Sequence, residues 1–250
     1  MQTHSTVRVG LVLRIFAGCC AWALILPLTP IASLAGPSRF SPGDAMPLYK
    51  PREAASPRAR IGGQARGAEL DIPTLIALVP DHVGFTVRRN PALCWYLSEE
   101  TSRSVLFTVV DSRGIHPVIE QPLPPPIGSG LHCLNLHDYG VDLREQEPYR
   151  WFITLVVDPG RPSRDVVAGG MIERIPYDEA CILGMACSNS GCTREAINRY
   201  AESGLWYDAV GCLLELLQQN DDSPAFRAVL DNLLAQVGVR LPMSRTSLSK

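Results

Sequence analysis

Eight short runs with strand character fill the middle of the chain, residues 70–176. They are rich in Val, Ile, Thr and aromatic residues, and turn residues separate them. No helical pattern lies between them, whereas a parallel sheet needs helical crossovers. We therefore predict a mainly β domain, an antiparallel sandwich of the immunoglobulin or fibronectin type. The runs are 74–79, 84–88, 92–98, 105–111, 116–120, 131–136, 149–158 and 165–175.

Strand alternation makes a prediction about two cysteines of this domain. Successive side chains of a strand point to opposite faces, so Cys94 points outward if Trp95 points inward. The same holds for Cys133 beside Leu134. If their strands are neighbours, a disulfide between Cys94 and Cys133 is feasible. The alternative is two unpaired, half-buried thiols.

The first 35 residues have the features of a secretory signal peptide. Arg8 and Arg14 precede an uncharged apolar stretch at residues 15–28, and small residues follow at 33–35. The apolar stretch is shorter than the roughly 20 residues of a membrane-spanning helix. We therefore expect export to the periplasm or the extracellular space, with an uncleaved N-terminal membrane anchor as the alternative.

The cysteines also suit an oxidising compartment. Cleavage after Ala35 removes Cys19 and Cys20, which leaves an even number in the mature chain. The last four lie at spacings that lack the tight pairs of a zinc site, so we predict two disulfides among them, with three pairings open. The cysteines of the mature chain are Cys94, Cys133, Cys181, Cys187, Cys192 and Cys212.

A basic arm is predicted over residues 36–69. It is rich in Pro, Gly, Ala, Ser and Arg and has few residues that could fill a core, which is typical of a flexible segment. It either docks on an anionic surface, such as a membrane, or is a solvated linker. The cations concerned are Lys50, Arg52, Arg58, Arg60 and Arg66.

Three helices are predicted at the C-terminal end, residues 193–239. A Cys-rich connector, 177–192, links them to the sandwich domain, and a disordered tail, 240–250, follows. Thr193 is the expected N-cap of the first helix, and Gly204 is expected to end it.

The turn between the first two helices resembles one unit of a tetratricopeptide repeat. The small residues Ala201, Gly204 and Ala209 allow two helices to pack closely. A free-standing array needs about three repeats, so one unit must close a small domain or pack on a partner. We predict a partner surface around Leu205, Trp206 and Tyr207.

The sequence contains no familiar catalytic or cofactor-binding motif. There is no G-x-S-x-G elbow, Gly-rich phosphate loop or H-E-x-x-H pair. The densest polar cluster contains His132, His137 and Asp138, but an odd spacing puts the two histidines on opposite faces of a strand. A formal net charge of −2 offers no general attraction to nucleic acid. We therefore predict a protein that is not an enzyme, with no cofactor or metal.

The order of several motifs along the chain resembles a known bacterial family. The motifs are LIALVPDHVGFTVRRNPALCWYL, YRWFITLVVDP, GGMIERI and YAESGLWYDAV, preceded by the arm. Over residues 49–238 they are similar to the domain of unknown function 928. The resemblance implies an exported protein with a β-rich body and a short helical tail, and no activity. Met171 stands where we would expect a tryptophan in this family.

Three hypotheses about function remain. The first is an exported, non-enzymatic adaptor that binds protein or glycan, with a protein partner in the cell envelope. The second is an accessory or regulatory module of a membrane signalling or secretion system, with peripheral membrane contact through the arm. The third is an uncharacterised hydrolase. The sequence leaves the oligomeric state open.

Overall fold

The computed structural model describes residues 45–52, 59–62, 72–114, 117–182, 191–219 and 223–242. The predicted signal peptide lies outside these residues. Eight strands lie where the sequence places them. They are β1 (Leu75–Ala77), β2 (Gly84–Thr86), β3 (Ala92–Leu97), β4 (Val105–Val110), β5 (Pro117–Leu123), β6 (Gly130–Asn135), β7 (Pro148–Leu155) and β8 (Val166–Arg174).

The strands form two sheets, and the protein combines these with helices in a mixed α/β architecture. The smaller sheet has the order β1-β3-β6 and is antiparallel. The larger sheet has the order β2-β8-β7-β4-β5. Its β2 strand pairs parallel with β8, so the expectation of purely antiparallel strands is wrong at this one edge. The parallel pairing is possible because β2 and β8 are far apart in the chain, which supplies the long connection that parallel neighbours need.

The core lies against one face of the larger sheet. Every second residue of β4 and β7 is buried, which is the period of a strand with one covered face. Phe107, Trp151 and Ile153 have no measurable exposure and anchor this layer. A side chain at Gly170 would lie 2.9 Å from Val79, so the segment after β1 packs directly on β8.

Four helices follow the strands. The three predicted ones are α2 (Arg194–Glu202), α3 (Trp206–Gln219) and α4 (Pro224–Gln236), and a further short helix, α1 (Tyr177–Ile182), lies within the predicted connector. The Thr193 hydroxyl accepts a hydrogen bond from Ala196 N and caps α2. Gly204 has φ +73°, the left-handed conformation that allows the chain to turn after α2.

Helix α3 is central to the packing of these elements. It contacts α2, α4, β2 and β3. Ten of its fourteen residues are buried, and the others, Gly211, Glu215, Gln218 and Gln219, lie along one face, so only a narrow stripe of the helix faces solvent. The helical segment is therefore continuous with the core of the strands.

Candidate functional site

The predicted partner surface does not exist as an exposed patch. Leu205, Trp206 and Tyr207 are all buried, so this prediction is wrong. The indole Nε1 of Trp206 donates to Leu78 O over 2.9 Å, which ties α3 to the end of β1. These residues therefore fasten the start of α3 to the sheets.

Tyr207 joins α3 to the larger sheet through its hydroxyl. The hydroxyl accepts a hydrogen bond from Trp151 Nε1 over 2.9 Å and donates to Met171 O over 3.0 Å. Its ring fills the space beside Gly84, where a Cβ would lie 2.6 Å from it. Burial raises the pKa of Tyr207, so the hydroxyl stays protonated and keeps both bonds.

Asp208 is a fully buried carboxylate in the first turn of α3. It accepts a hydrogen bond from Val87 N over 3.1 Å, and Arg88 Nε lies 3.3 Å away. Burial raises the pKa of this carboxyl to about 6, although Arg88 opposes the shift. The carboxylate ties the loop after β2 to the start of α3.

Among the described residues there are two disulfides, one between two strands and one within the helical segment. Cys94 pairs with Cys133 at a Cα separation of 4.1 Å, and Cys192 pairs with Cys212 at 5.0 Å. Cys94 is buried in the core, whereas it was expected on an outer face. The reason is that both faces of β3 are covered, and Cys94 and Trp95 are equally buried.

The remaining cysteines are only partly described. Cys181 lies in α1 and is half-buried, and among the described residues it forms no disulfide. Cys187 lies outside the described residues. Of the three pairings left open by the sequence, the observed Cys192–Cys212 bond agrees only with the one that would also join Cys181 to Cys187.

Part of the predicted arm is bound to the helices. Segment 45–52 belongs to no helix or strand, and in it Pro47 and Tyr49 are buried while Met46 and Leu48 are exposed. The side chain of Gln236 in α4 accepts from Tyr49 N over 2.8 Å and donates to Pro47 O over 2.9 Å. The Tyr49 ring meets Trp206 edge-on at 4.9 Å. Gln236 and Trp206 thus line a groove that holds the segment through hydrogen bonds to its main chain and through one aromatic anchor, Tyr49.

The cations of the arm have partners where the structure describes them. Arg52 pairs with Glu179 at 2.5 Å and lies over the Phe85 ring. Arg60 donates to the carbonyls of Val79 and Val237. The expectation of a flexible arm is therefore wrong for 45–52 and 59–62, because both segments bind the body of the protein. Arg58 and Arg66 lie outside the described residues.

Lys50 contributes to the same contact through its main chain. Its N–H donates to Ala201 O over 3.0 Å at the end of α2. Its side chain is exposed.

A carboxylate, an imidazole and a phenol form a hydrogen-bonded chain at this groove. His82 Nδ1 lies 3.1 Å from Asp81 Oδ1, and His82 Nε2 lies 2.9 Å from the Tyr49 hydroxyl. This order of groups resembles that of a nucleophile and its base. Tyr49 is 6% exposed and burial raises its pKa, so the hydroxyl is a poor nucleophile. The chain positions Tyr49 in the groove.

The polar cluster around His132 is dispersed by the fold. His132 stacks on Trp95 at 5.2 Å and is hydrogen-bonded to Gly128 O, and burial lowers its pKa. His137 and Asp138 lie in an exposed 3-10 turn after β6. The structure does not bring these residues into one site.

Sequence reasoning missed the groove that holds segment 45–52. The local signal in the sequence is a short apolar run, Met46 to Tyr49, within a stretch that is otherwise poor in core residues. The hydrogen bonds join residues 187 and 189 positions apart, which no local pattern reveals.

Comparisons with known proteins give one match. A family model described as Domain of Unknown Function (DUF928) matches residues 61–246, which is most of the chain. No curated protein and no solved structure matches this chain. The matched range includes every strand and helix described above. The chain belongs to the family described as Domain of Unknown Function (DUF928).

Proposed function

We propose that the protein is an exported, non-enzymatic binding protein of the cell envelope that recognises extended polypeptide. The observation that carries the proposal is the bound segment 45–52. The helices hold it through main-chain hydrogen bonds to Gln236 and Ala201 and through one aromatic side chain. Protein modules that bind peptides use the same combination of main-chain bonds and a side-chain pocket.

Disulfides support the exported location. Such bonds persist in oxidising compartments and are rare in the cytosol. Among the described residues no helix is long and apolar enough to cross a membrane. The apolar N-terminal stretch after Arg14 supports secretion by a signal peptide.

Strand order supports an immunoglobulin-type sandwich for the body. The order β1-β3-β6 corresponds to the A-B-E part of one immunoglobulin sheet, and β8-β7-β4-β5 corresponds to G-F-C-C′ of the other. The parallel pairing of β2 with β8 then corresponds to a first strand that is divided between both sheets. Proteins with this architecture commonly bind other molecules through loops and strand edges.

The first test is location and processing. The tagged full-length chain is expressed in a bacterial host, the cells are fractionated, and the N-terminus is read by mass spectrometry. We expect an envelope protein that begins near Gly36, and a control without residues 1–35 that stays in the cytosol. A cytosolic full-length protein with an intact N-terminus would refute export.

The second test is partner capture by crosslinking in the envelope. Tyr49→Ala removes the aromatic anchor of the bound segment and opens the groove, so we expect more partner to be captured. Leu48→Ala changes the exposed side of the same segment and is the matched control. The binding function would be refuted if the wild type, Tyr49→Ala and Leu48→Ala all captured no more protein than the tag alone.

A further inference from the structure

The outer face of the larger sheet is the face turned away from the core. Successive side chains of a strand point to opposite faces, and residues directly opposite each other on paired strands share a face. On β4 and β7 the outward residues therefore alternate with the buried ones. These outward residues are Leu106, Thr108, Val110, Arg150, Phe152 and Thr154.

This outer face is more apolar than a solvated face of a sheet. The exposed side of an antiparallel sheet normally carries polar residues. Here Leu106, Val110 and Phe152 are half-buried, and Val118 on β5 is 46% exposed. Leu106, Val110 and Phe152 do not pack against the buried core that the structure describes. An exposed apolar surface of this kind marks an interaction site.

The helices leave this part of the sheet accessible. Helix α3 packs against β2 and β3, and the edge strand β5 is exposed along most of its length. A Cβ at Gly169 would lie 2.9 Å from the Phe152 ring, so this ring lies against the main chain of β8. The outer face is therefore suited to packing against another sheet.

Two opposite charges lie on the same face. Arg150 on β7 and Glu120 on β5 are both exposed, and neither forms an ion pair with another described residue. Arg150 lies opposite Val110, whereas Glu120 lies opposite Thr108. The two charged residues are thus two strands and two positions apart, about 12 Å by strand geometry. A complementary surface carries an acid opposite Arg150 and a base opposite Glu120.

A second copy of the chain meets this requirement. We consider a two-fold axis in the plane of the interface that passes midway between Arg150 and Glu120. Such an axis brings Arg150 of each copy over Glu120 of the other, so that both ion pairs form at once. The midpoint falls on β4 between Thr108 and Val110. The apolar residues of the two faces then meet around the axis.

The size of the face suits a reversible dimer. The strands β5, β4 and β7 with the adjoining part of β8 offer on the order of 500 Å² from each copy, by strand spacing and length. Stable interfaces bury about 800 Å² from each partner. We therefore expect a Kd of about 1 to 100 μM.

We propose that the protein forms a two-fold dimer through the outer face of its larger sheet, with Arg150 of each copy paired to Glu120 of the other. The inference goes beyond the proposed function and does not depend on it. Segment 45–52 is held by α2, α3 and α4, away from this face.

The test is sedimentation equilibrium of the purified protein with its disulfides intact, from about 1 to 300 μM. We expect a reversible monomer and dimer for the wild type. Arg150→Glu and Glu120→Arg each place like charges opposite each other, so each variant alone should dimerise at least about tenfold more weakly. An equimolar mixture of the two variants should dimerise as the wild type does, because the mixed dimer restores both ion pairs.

Two further variants separate this face from other surfaces. Asp231→Arg changes an exposed acid on α4 and should dimerise as the wild type does. Phe152→Thr keeps a residue that favours strands but removes apolar contact area, so it should weaken the dimer at least about tenfold. Circular dichroism shows whether each variant is folded.

Three results would overturn the proposal. They are a wild type that stays monomeric up to about 300 μM, a dimer that neither charge reversal weakens, and a mixture of the two charge variants that dimerises no better than each alone. None of them bears on the proposed function, because partner capture is measured with Tyr49→Ala in the groove of the helices.

Discussion

At the scale of single residues, the buried polar side chains of α3 determine how the protein responds to pH. Burial raises the pKa of the Asp208 carboxyl from its ordinary value of about 3.8 to about 6. The folded protein therefore binds a proton in this window that the unfolded chain releases. Stability must fall as the pH rises from about 4 to 6 and then level off.

Asp208→Asn should remove that dependence, because an amide does not titrate. We expect the unfolding free energy of the wild type, relative to this variant, to fall by about 2 kcal/mol between pH 4 and pH 7. Urea unfolding at several pH values measures the difference. Asp81→Asn is a control of opposite sign, because the hydrogen bond from His82 lowers the pKa of Asp81. The prediction would be contradicted if the difference in unfolding free energy between the wild type and Asp208→Asn stayed constant with pH.

Tyr207→Phe isolates the hydroxyl that links α3 to the larger sheet. Its loss leaves Trp151 Nε1 and Met171 O without their partner in a buried place. We expect a loss of about 2 to 3 kcal/mol in unfolding free energy, measured by denaturant titration. Tyr200→Phe, on the half-buried side of α2, should change it by less than about 0.5 kcal/mol. Equal losses of unfolding free energy in Tyr207→Phe and Tyr200→Phe would contradict the expected contribution of the two hydrogen bonds.

At the scale of elements, the turn between α2 and α3 also supports the bound segment. A Cβ at Gly204 would lie 2.7 Å from Lys50 O, and Gly204 has φ +73°. Gly114 has φ +60°, but a Cβ added there would meet no atom within 4 Å, so Gly114→Ala measures only the strain of the left-handed backbone. We expect Gly204→Ala to cost at least about 1 kcal/mol more than Gly114→Ala.

Only Gly204→Ala should also loosen the segment. Hydrogen exchange read by mass spectrometry should show faster exchange of the Tyr49 and Lys50 amides in this variant and no change in Gly114→Ala. Unchanged protection in both variants would mean that the turn does not support the segment.

The two disulfides should differ in what they contribute. Cys94 and Cys133 are 39 residues apart, and Cys192 and Cys212 are 20 apart. Loop-closure entropy gives about 4 and about 3 kcal/mol respectively. We expect the paired Cys→Ala change at 94 and 133 to lower the unfolding midpoint in urea more than the change at 192 and 212. The reverse order would show that local packing outweighs the entropy of the unfolded chain.

At the scale of the whole molecule, the thiol count reports the compartment. Cys181 and Cys187 remain once the two disulfides are formed, and we expect them to pair in the exported protein. Alkylation without reduction should then label none of the six cysteines of the mature chain, and alkylation after reduction should label all of them. Mass spectrometry of the non-reduced digest identifies the pair. Stable labelling of Cys181 without reduction would contradict this pairing.

Some of these features could be predicted from local patterns. Strand positions follow from β-branched and aromatic residues between turns, and the start of α2 follows from Thr193 because a hydroxyl there accepts a hydrogen bond from the first turn. A disulfide between Cys94 and Cys133 could be proposed as one of two alternatives. The signal peptide, the adaptor function and the membrane contact stay predictions, since the described residues do not test them.

Other features depended on contacts between distant residues. An aromatic residue beside a turn, such as Trp206, is compatible with either exposure or burial, and the burial of Trp206 depends on its contacts with Leu78 and Tyr49. Segment 45–52 has the composition of a flexible segment because it is poor in core residues, yet Gln236 holds its main chain.

The sequence by itself determined the eight strands, the three long helices, the cysteine content and the family resemblance, because each depends on residue type and local spacing. The tertiary structure decided the parallel pairing of β2, the burial of α3 and the binding of segment 45–52. Each of these depends on which surfaces meet in three dimensions. That choice is made by packing and hydrogen bonding between residues far apart in the chain, for which a single sequence has no periodic signal.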